Sequence, residues 1–316
     1  MKRIVYPLAI LSILLFGCKF SLPVTLPWAA TAPVASVIPA ANEPTLAPKT
    51  PTTPLASTPS ITSTPTGTPS PPEPPTATEP PVATEPPVIQ VNVTCNELAL
   101  FLDPALASGF DCQTLPEING QDNPGFEVNP QYTELTLLGY VLSDRFFTPK
   151  ISVYPVLRFS ELLPDAIPPK VSALQALIGG GSTGGAGLPF LPNFNAGQEF
   201  FAQYKGISFG SGNGIRYLTQ YSQYFDPINN HEVFYTFQGL TSDGKYWISA
   251  ILPISNPILP ADGNNPPNGQ SQEEFGNNFA TYIADLTAQL DAQPPGNYSP
   301  TIPMLDALVA SFRTQP

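Results

Sequence analysis

Large apolar and polar positions alternate most regularly between residues 199 and 254. Four runs there, 199–209, 214–221, 232–240 and 245–254, are rich in aromatic and β-branched residues. Turn-forming stretches at 210–214, 226–230 and 241–244 separate them. Consecutive hairpins of this kind predict an antiparallel meander. Two further runs, 132–142 and 151–156, predict a strand pair upstream, with Pro155 at an edge or a strand end. Around these strands the period changes to that of a helix. Pro168-Pro169 opens a short helix with Val171, Leu174, Leu177 and Ile178 at helical spacing, stopped by the Gly-rich 179–187 loop. Residues 160–163 allow at most one helical turn before Pro164. Phe275, Phe279, Tyr282, Ile283, Leu286 and Leu290 make one stripe of a helix over 272–290. Leu305, Leu308, Val309 and Phe312 line a last short helix over 302–312. Asp103 before Pro104 reads as an N-cap, with Gly109 ending a short helical turn. A meander with helices before and after predicts a single α+β domain over 91–316, large enough to bury a real core.

Upstream of residue 91 neither period is present. Residues 4–17 are predominantly apolar, interrupted by Pro7, and follow Lys2-Arg3. That length suits a signal h-region and is too short to span a bilayer. The run closes on Leu15-Phe16-Gly17-Cys18. This stretch resembles the lipobox of bacterial lipoproteins: Leu at −3, a small residue at −1, then Cys, with Phe16 where the family usually carries a small residue. The resemblance implies a 1–18 signal peptide and lipobox, diacylglycerol on the Cys18 sulfur, cleavage after Gly17, acylation of the new N-terminus, and an extracytoplasmic domain lipid-anchored to a bacterial membrane. The other reading is an ordinary secretory signal cut near Ala29-Ala30, with Cys18 incidental. Residues 19–90 are Pro- and Thr-rich and carry the near-duplicates Ala77-Thr78-Glu79-Pro80-Pro81 and Ala83-Thr84-Glu85-Pro86-Pro87. Proline removes amide donors and there is little to bury, so a disordered tether is expected. In polyproline geometry it would reach on the order of 200 Å.

Charge then narrows the partners. The chain has 12 Lys+Arg against 24 Asp+Glu, a net charge of −12. Residues 1–90 carry four of each sign, so the whole excess belongs to the domain. An acidic domain repels phosphate backbones, which argues against nucleic acid, and an anionic membrane surface is equally unattractive to it. A membrane link through the lipid on Cys18, and an extracytoplasmic protein or glycan as partner, are the readings left. Outside the cytoplasm, Cys95 and Cys112 are most simply a disulfide. The chain has one His and no CxxC, which disfavours a zinc site, and no cofactor motif is present.

Three chemical patterns stand in the domain. Gly206-Ile207-Ser208-Phe209-Gly210 matches G-x-S-x-G, and Asp226 and His231 follow in Ser, Asp, His order. A nucleophile elbow needs a strand-to-helix turn, whereas Ser208 sits inside an alternating run. Asp262, Asn264, Asn268 and Glu273 place oxygen atoms at calcium-loop spacing, but Pro266 and Pro267 occupy positions where such a loop turns. Any two acids of the domain can converge as a carboxylate pair, and no spacing favours one pair. The crowded aromatics, among them Tyr217, Tyr235, Tyr246 and Trp247, are either core or a binding face. A non-enzymatic binding module is the preferred function, with an extracytoplasmic hydrolase or a structural spacer as alternatives. The order of a meander flanked by helices resembles the PsbP-like arrangement. On the runs 101–107, 214–220 and 235–245 the domain is also similar to uncharacterised domains that follow Pro/Thr-rich tethers in bacterial surface lipoproteins. Neither resemblance implies an activity.

Overall fold

In a computed structural model of the chain, the described residues are 90–120, 125, 127–184 and 187–315. Cys18 with the rest of the expected 1–18 signal peptide, and the expected 19–90 tether apart from Gln90, lie outside them. The elements follow in the order β1 (Val93–Cys95), β2 (Leu98–Leu100), β3 (Gly109–Leu115), β4 (Tyr132–Leu138), β5 (Lys150–Pro155), α1 (Val156–Leu162) and α2 (Ile167–Ile178). Then come β6 (Gly197–Gln198), β7 (Ala202–Phe209), β8 (Gly212–Thr219), β9 (Tyr221–Ser222), β10 (Phe234–Thr241) and β11 (Tyr246–Pro253). The chain closes with α3 (Gln272–Ala292), α4 (Ile302–Ala310) and β12 (Arg313–Thr314). Among the described residues, no helix is long and apolar enough to cross a membrane.

Seven strands form one sheet in the order β3-β4-β5-β11-β10-β8-β7. All its pairings are antiparallel, which makes the domain α+β. The expected meander is its β7-β8-β10-β11 half. Three features depart from the pattern reading. The stretch after Asp103 makes a single capped turn, with Asp103 Oδ1 accepting from Ala105 N at 2.8 Å, and the chain then enters β3 where a helix end was expected. Pro155 ends β5, and α1 starts at once at Val156; the strand was expected to run through Val156, with no more than a turn at 160–163. A small sheet, β1-β2-β12, joins the two ends of the domain. Its strands are two or three residues long, too short to show a period.

Strand geometry sends successive side chains to opposite faces, and here both faces are covered. One carries Tyr235, Phe237, Ile248, Ala250 and Leu252 into a core shared with Leu286, Leu290, Leu305, Leu308 and Phe312 from the α3–α4 end of the chain. The other carries Phe234, Leu240, Trp247, Ile251, Tyr154 and Tyr217 against Phe159, Ile167 and Leu174 of α1 and α2 and the Leu188–Leu191 segment. All eight residues of β10 are buried in consequence. Gln238 occupies the centre of the second face and is fully buried. Its Oε1 accepts from Trp247 Nε1 at 2.7 Å and from Leu191 N at 3.1 Å. Its Nε2 donates to Thr236 Oγ1 at 2.8 Å and Ser249 Oγ at 2.9 Å. The network fixes the 188–191 segment onto the sheet, and a buried amide needs such complete pairing.

α3 begins with a capping box. Ser271 Oγ accepts from Glu274 N at 3.2 Å, and the Glu274 carboxylate accepts from Ser271 N at 2.9 Å. The reciprocal bonds set where the helix starts, and therefore where Phe275 and Phe279 meet the loop before β10. The Cys95–Cys112 disulfide is present, with a Cα–Cα distance of 5.6 Å. It ties the small sheet to the edge strand β3.

Candidate functional site

The end of the sheet where β8 leaves and β10 enters is built from loops. The chain leaves β8 at Thr219, forms the two-residue ribbon strand β9, turns through 223–233 and returns as β10. β9 pairs with β6, setting Gly197 opposite Ser222 and Gln198 opposite Tyr221. Glu199 extends that ribbon, its N–H donating to Gln220 O at 3.0 Å. Ser222 organises the turn: its hydroxyl donates to Asp226 Oδ2 at 2.8 Å and accepts from Tyr224 N at 3.1 Å. Gln223 Nε2 reaches back to Asn195 O at 2.7 Å. Gln272 Nε2, in the first turn of α3, donates to Phe225 O at 2.8 Å. The Phe225 ring lies 4.9 Å from that of Phe279. Every piece of the loop is thus held by a rigid neighbour.

The loop and the ribbon enclose an open cavity of about 880 Å³ lined by Phe194, Asn195, Ala196, Gly197, Glu199 and the 222–225 turn. Phe194 belongs to an aromatic cluster with Phe190 at 5.1 Å and Phe147 at 5.5 Å. On the rim, Tyr224 is 73% exposed and Phe225 56%. Tyr224 is the most exposed aromatic among the described residues, and with Phe225 it sets two exposed rings side by side at a cavity mouth. Burial pushes the Glu199 carboxyl up from 4.5 to about 7, and the negative charge of Asp226 adds to the rise. No described residue donates a hydrogen bond to that carboxyl. Among the described residues, no Lys or Arg lines the cavity.

This carboxyl gives the protein a pH-dependent stability. The folded value of about 7 lies above the ordinary carboxyl value of 4.5, so the native state holds a proton that the unfolded chain releases. The associated stabilisation is complete below about 4.5 and is lost as pH rises to about 7. Glu199→Gln is therefore expected to be more stable than the parent at pH 8 by about 1–2 kcal/mol, the partial exposure screening the effect. At pH 4 the two should be equal. Urea unfolding at both pH values checks this, and a constant difference between them would exclude Glu199 as the titrating group.

A second cavity of about 500 Å³ adjoins at Asp226, with His231, Glu232, Asp262, Gly263 and Asn264 around it. Asp226 and His231 therefore line one cavity, but Ser208 does not join them. Its hydroxyl donates to Asn213 Oδ1 at 2.7 Å in the β7–β8 hairpin. Asn213 and Thr219 stand at opposite ends of β8, about 20 Å apart at strand rise. The Ser208, Asp226, His231 arrangement is thus not a triad. The calcium-loop residues divide as well. Asp262 Oδ1 accepts from Asn264 N at 3.0 Å, an Asx turn. Asn268 lies in a 3-10 turn with φ 60° and Glu273 in the first turn of α3, and neither lines the cavity. Among the described residues, no group of three or more His, Cys, Asp or Glu is placed to hold a metal ion.

The aromatic binding face is corrected too. Tyr217 and Tyr235 are 0% exposed and Trp247 1%. Their polar atoms are satisfied internally: Tyr217 OH donates to Pro189 O at 3.3 Å, Tyr235 OH to Asp306 Oδ1 at 3.0 Å, and Trp247 Nε1 to Gln238. A covered ring with a paired polar atom is core. Tyr246 alone of the four reaches a cavity, a hollow of about 350 Å³ shared with Asn96, Glu97, Tyr132 and Thr133. The residues that pattern reading missed are Glu199, Ser222, Tyr224 and Phe225. The available signal was two adjacent aromatics inside a Ser/Gln/Asp/Pro turn, where nothing in the local period calls for burial. Comparison of the chain with protein-family models, with curated proteins and with solved structures finds no match.

Proposed function

We propose that this chain is a lipid-anchored extracytoplasmic binding module that holds a neutral, hydroxyl-rich ligand at the loop end of its large sheet. In this reading residues 1–18 direct export and lipidation of Cys18, and residues 19–90 hold the domain away from the membrane. One observation carries the ligand class: the 880 Å³ cavity combines a rim of exposed Tyr224 and Phe225 with carboxyl, amide and hydroxyl groups and no cation. The apolar faces of sugar rings stack on aromatic rings, while their hydroxyls need acceptors and donors at the edge. Phosphates and carboxylates are repelled by Glu199 and Asp226. Tyr224 makes little packing contact, so Tyr224→Ala should fold normally and weaken binding of neutral polysaccharides by at least ten-fold in affinity electrophoresis. Undiminished binding would remove the site.

A hydrolase is the second reading, favoured by the Glu199 carboxyl held near 7 beside Asp226. The same samples decide between the two. Polysaccharide that stays intact fits a binding module, whereas new reducing ends formed by the parent protein and not by Glu199→Gln fit hydrolysis. For the anchor, Cys18→Ala is expected to abolish labelling by fatty acid and to move the protein from the membrane to the soluble fraction. Retention of that variant on the membrane would exclude lipidation as the attachment, since stable anchoring takes two or more acyl chains.

A further inference from the structure

Glu199 lines a second hollow besides the one described above. On its other side, against α3, lies a cavity of about 310 Å³ whose walls include Phe201, Ile283, Thr287 and Asp291. The two spaces share Glu199 as a lining residue, and each alone is of ligand-pocket size. They share a chemistry. Each has apolar surface on one wall, Phe225 in the first and Phe201 with Ile283 in the second, and hydroxyl or amide groups on another. Neither has a Lys or Arg. Resting on the ligand site proposed above, we infer that the ligand is an unbranched neutral oligosaccharide that crosses Glu199 and occupies both hollows.

A single sugar would fill only one of the two spaces, and an unbranched chain is the simplest ligand that reaches both. A linear chain places successive rings on the two apolar walls and its hydroxyls on the intervening carboxyl. Glu199 accepts no hydrogen bond from any described residue, so it is free to serve a hydroxyl on either side. Its raised proton affinity lets it donate as well as accept near neutral pH. The fixed parts of the groove are the α3 face and the β6–β9 ribbon, so the site needs no large closure. An anionic chain is disfavoured throughout, because Glu199, Asp226 and Asp291 all face the path or adjoin it.

The test uses the full chain on an array of neutral oligosaccharides that covers several linkages and lengths from one to six units, with Thr287→Trp and Tyr224→Ala alongside. Thr287 is half-buried on the far wall, and a tryptophan there fills the second hollow without touching the first. For a glycan bound by the parent, affinity is expected to rise at least ten-fold as the chain lengthens past the first hollow. Thr287→Trp should remove that gain and leave the shortest bound member unchanged, while Tyr224→Ala should weaken all members. Thermal unfolding of each variant confirms that it is folded. If Tyr224→Ala weakens binding but length and Thr287→Trp have no effect, the two-hollow inference fails and the first site stands. If no neutral glycan binds, or Tyr224→Ala changes nothing, the ligand site itself is wrong. Strong binding only of branched or of acidic glycans also overturns the inference.

Discussion

Asp306→Ala should destabilise the protein by about 3 kcal/mol, the low end of the range seen when one partner of a buried ion pair is removed, because the Asp306 side chain is 18% exposed. Arg216 projects from the centre of β8 into the core and is 5% exposed. Its Nε donates to Asp306 Oδ1 of α4 at 3.2 Å, and the hydroxyl of Tyr235 donates to the same oxygen at 3.0 Å. Lys205 approaches the other oxygen at 3.5 Å but is largely in water, so it adds little. Arg216 Nη1 already has no partner among the described residues. Removing the carboxylate leaves the guanidinium charge in the core with nothing opposite it, and Tyr235 without an acceptor. The double variant Arg216→Met with Asp306→Leu should recover most of the loss, because it removes both charges and keeps apolar volume. Urea unfolding of the single and double variants measures both. A loss below about 1 kcal/mol for Asp306→Ala would show that water reaches Arg216 and that α4 is not docked through this pair.

Replacing Cys95 and Cys112 together by Ser should cost about 3 kcal/mol, on the chain-entropy estimate for a loop of this size. The sequence separation is 17 residues. The bond matters here because β1 and β2 are three residues each and β12 is two, so backbone pairing alone holds the small sheet weakly. The parent protein in reductant should fall to the stability of the double variant, and the variant should not respond to reductant. Equal stability of parent and variant in the absence of reductant would mean that the two strands are held by packing instead. The same loss should appear first as faster amide exchange in β1 and β3, since local opening begins where few contacts cross.

The elements that could be read in advance are those whose period is long enough to count. The β7-β8-β10-β11 meander, the stripe of α3 and the Pro-led start of α2 all appear where alternation or helical spacing had placed them. The Ser271/Glu274 box and Gly179 then trim the ends of α3 and α2. The failures share a cause. β1, β2 and β12 are two or three residues long, too short to repeat an alternation, and β3 has a mixed run, GFDCQTL, exposed over most of its length because it is a sheet edge. Burial does not select its residues, so burial pattern cannot reveal it.

For chemistry, the sequence by itself determined composition-level properties. It carries the net charge of −12, the absence of CxxC, and the cysteine pair that the fold closes. It also shows the Pro/Thr-rich segment before an acidic domain, and the Leu15-Phe16-Gly17-Cys18 run on which the anchor proposal rests. These depend on residue type and near neighbours alone. The tertiary structure decided which aromatics face water. Tyr217, Tyr235 and Trp247 lie on strands, like any binding face would, and are covered only because helices arrive on both sides of the sheet. It also decided which acids meet. Glu199 and Asp226 are brought within electrostatic reach by a ribbon of two residue pairs, while Ser208 is carried to the far end of β8. Field strength and burial are properties of positions in space, and a linear spacing carries neither.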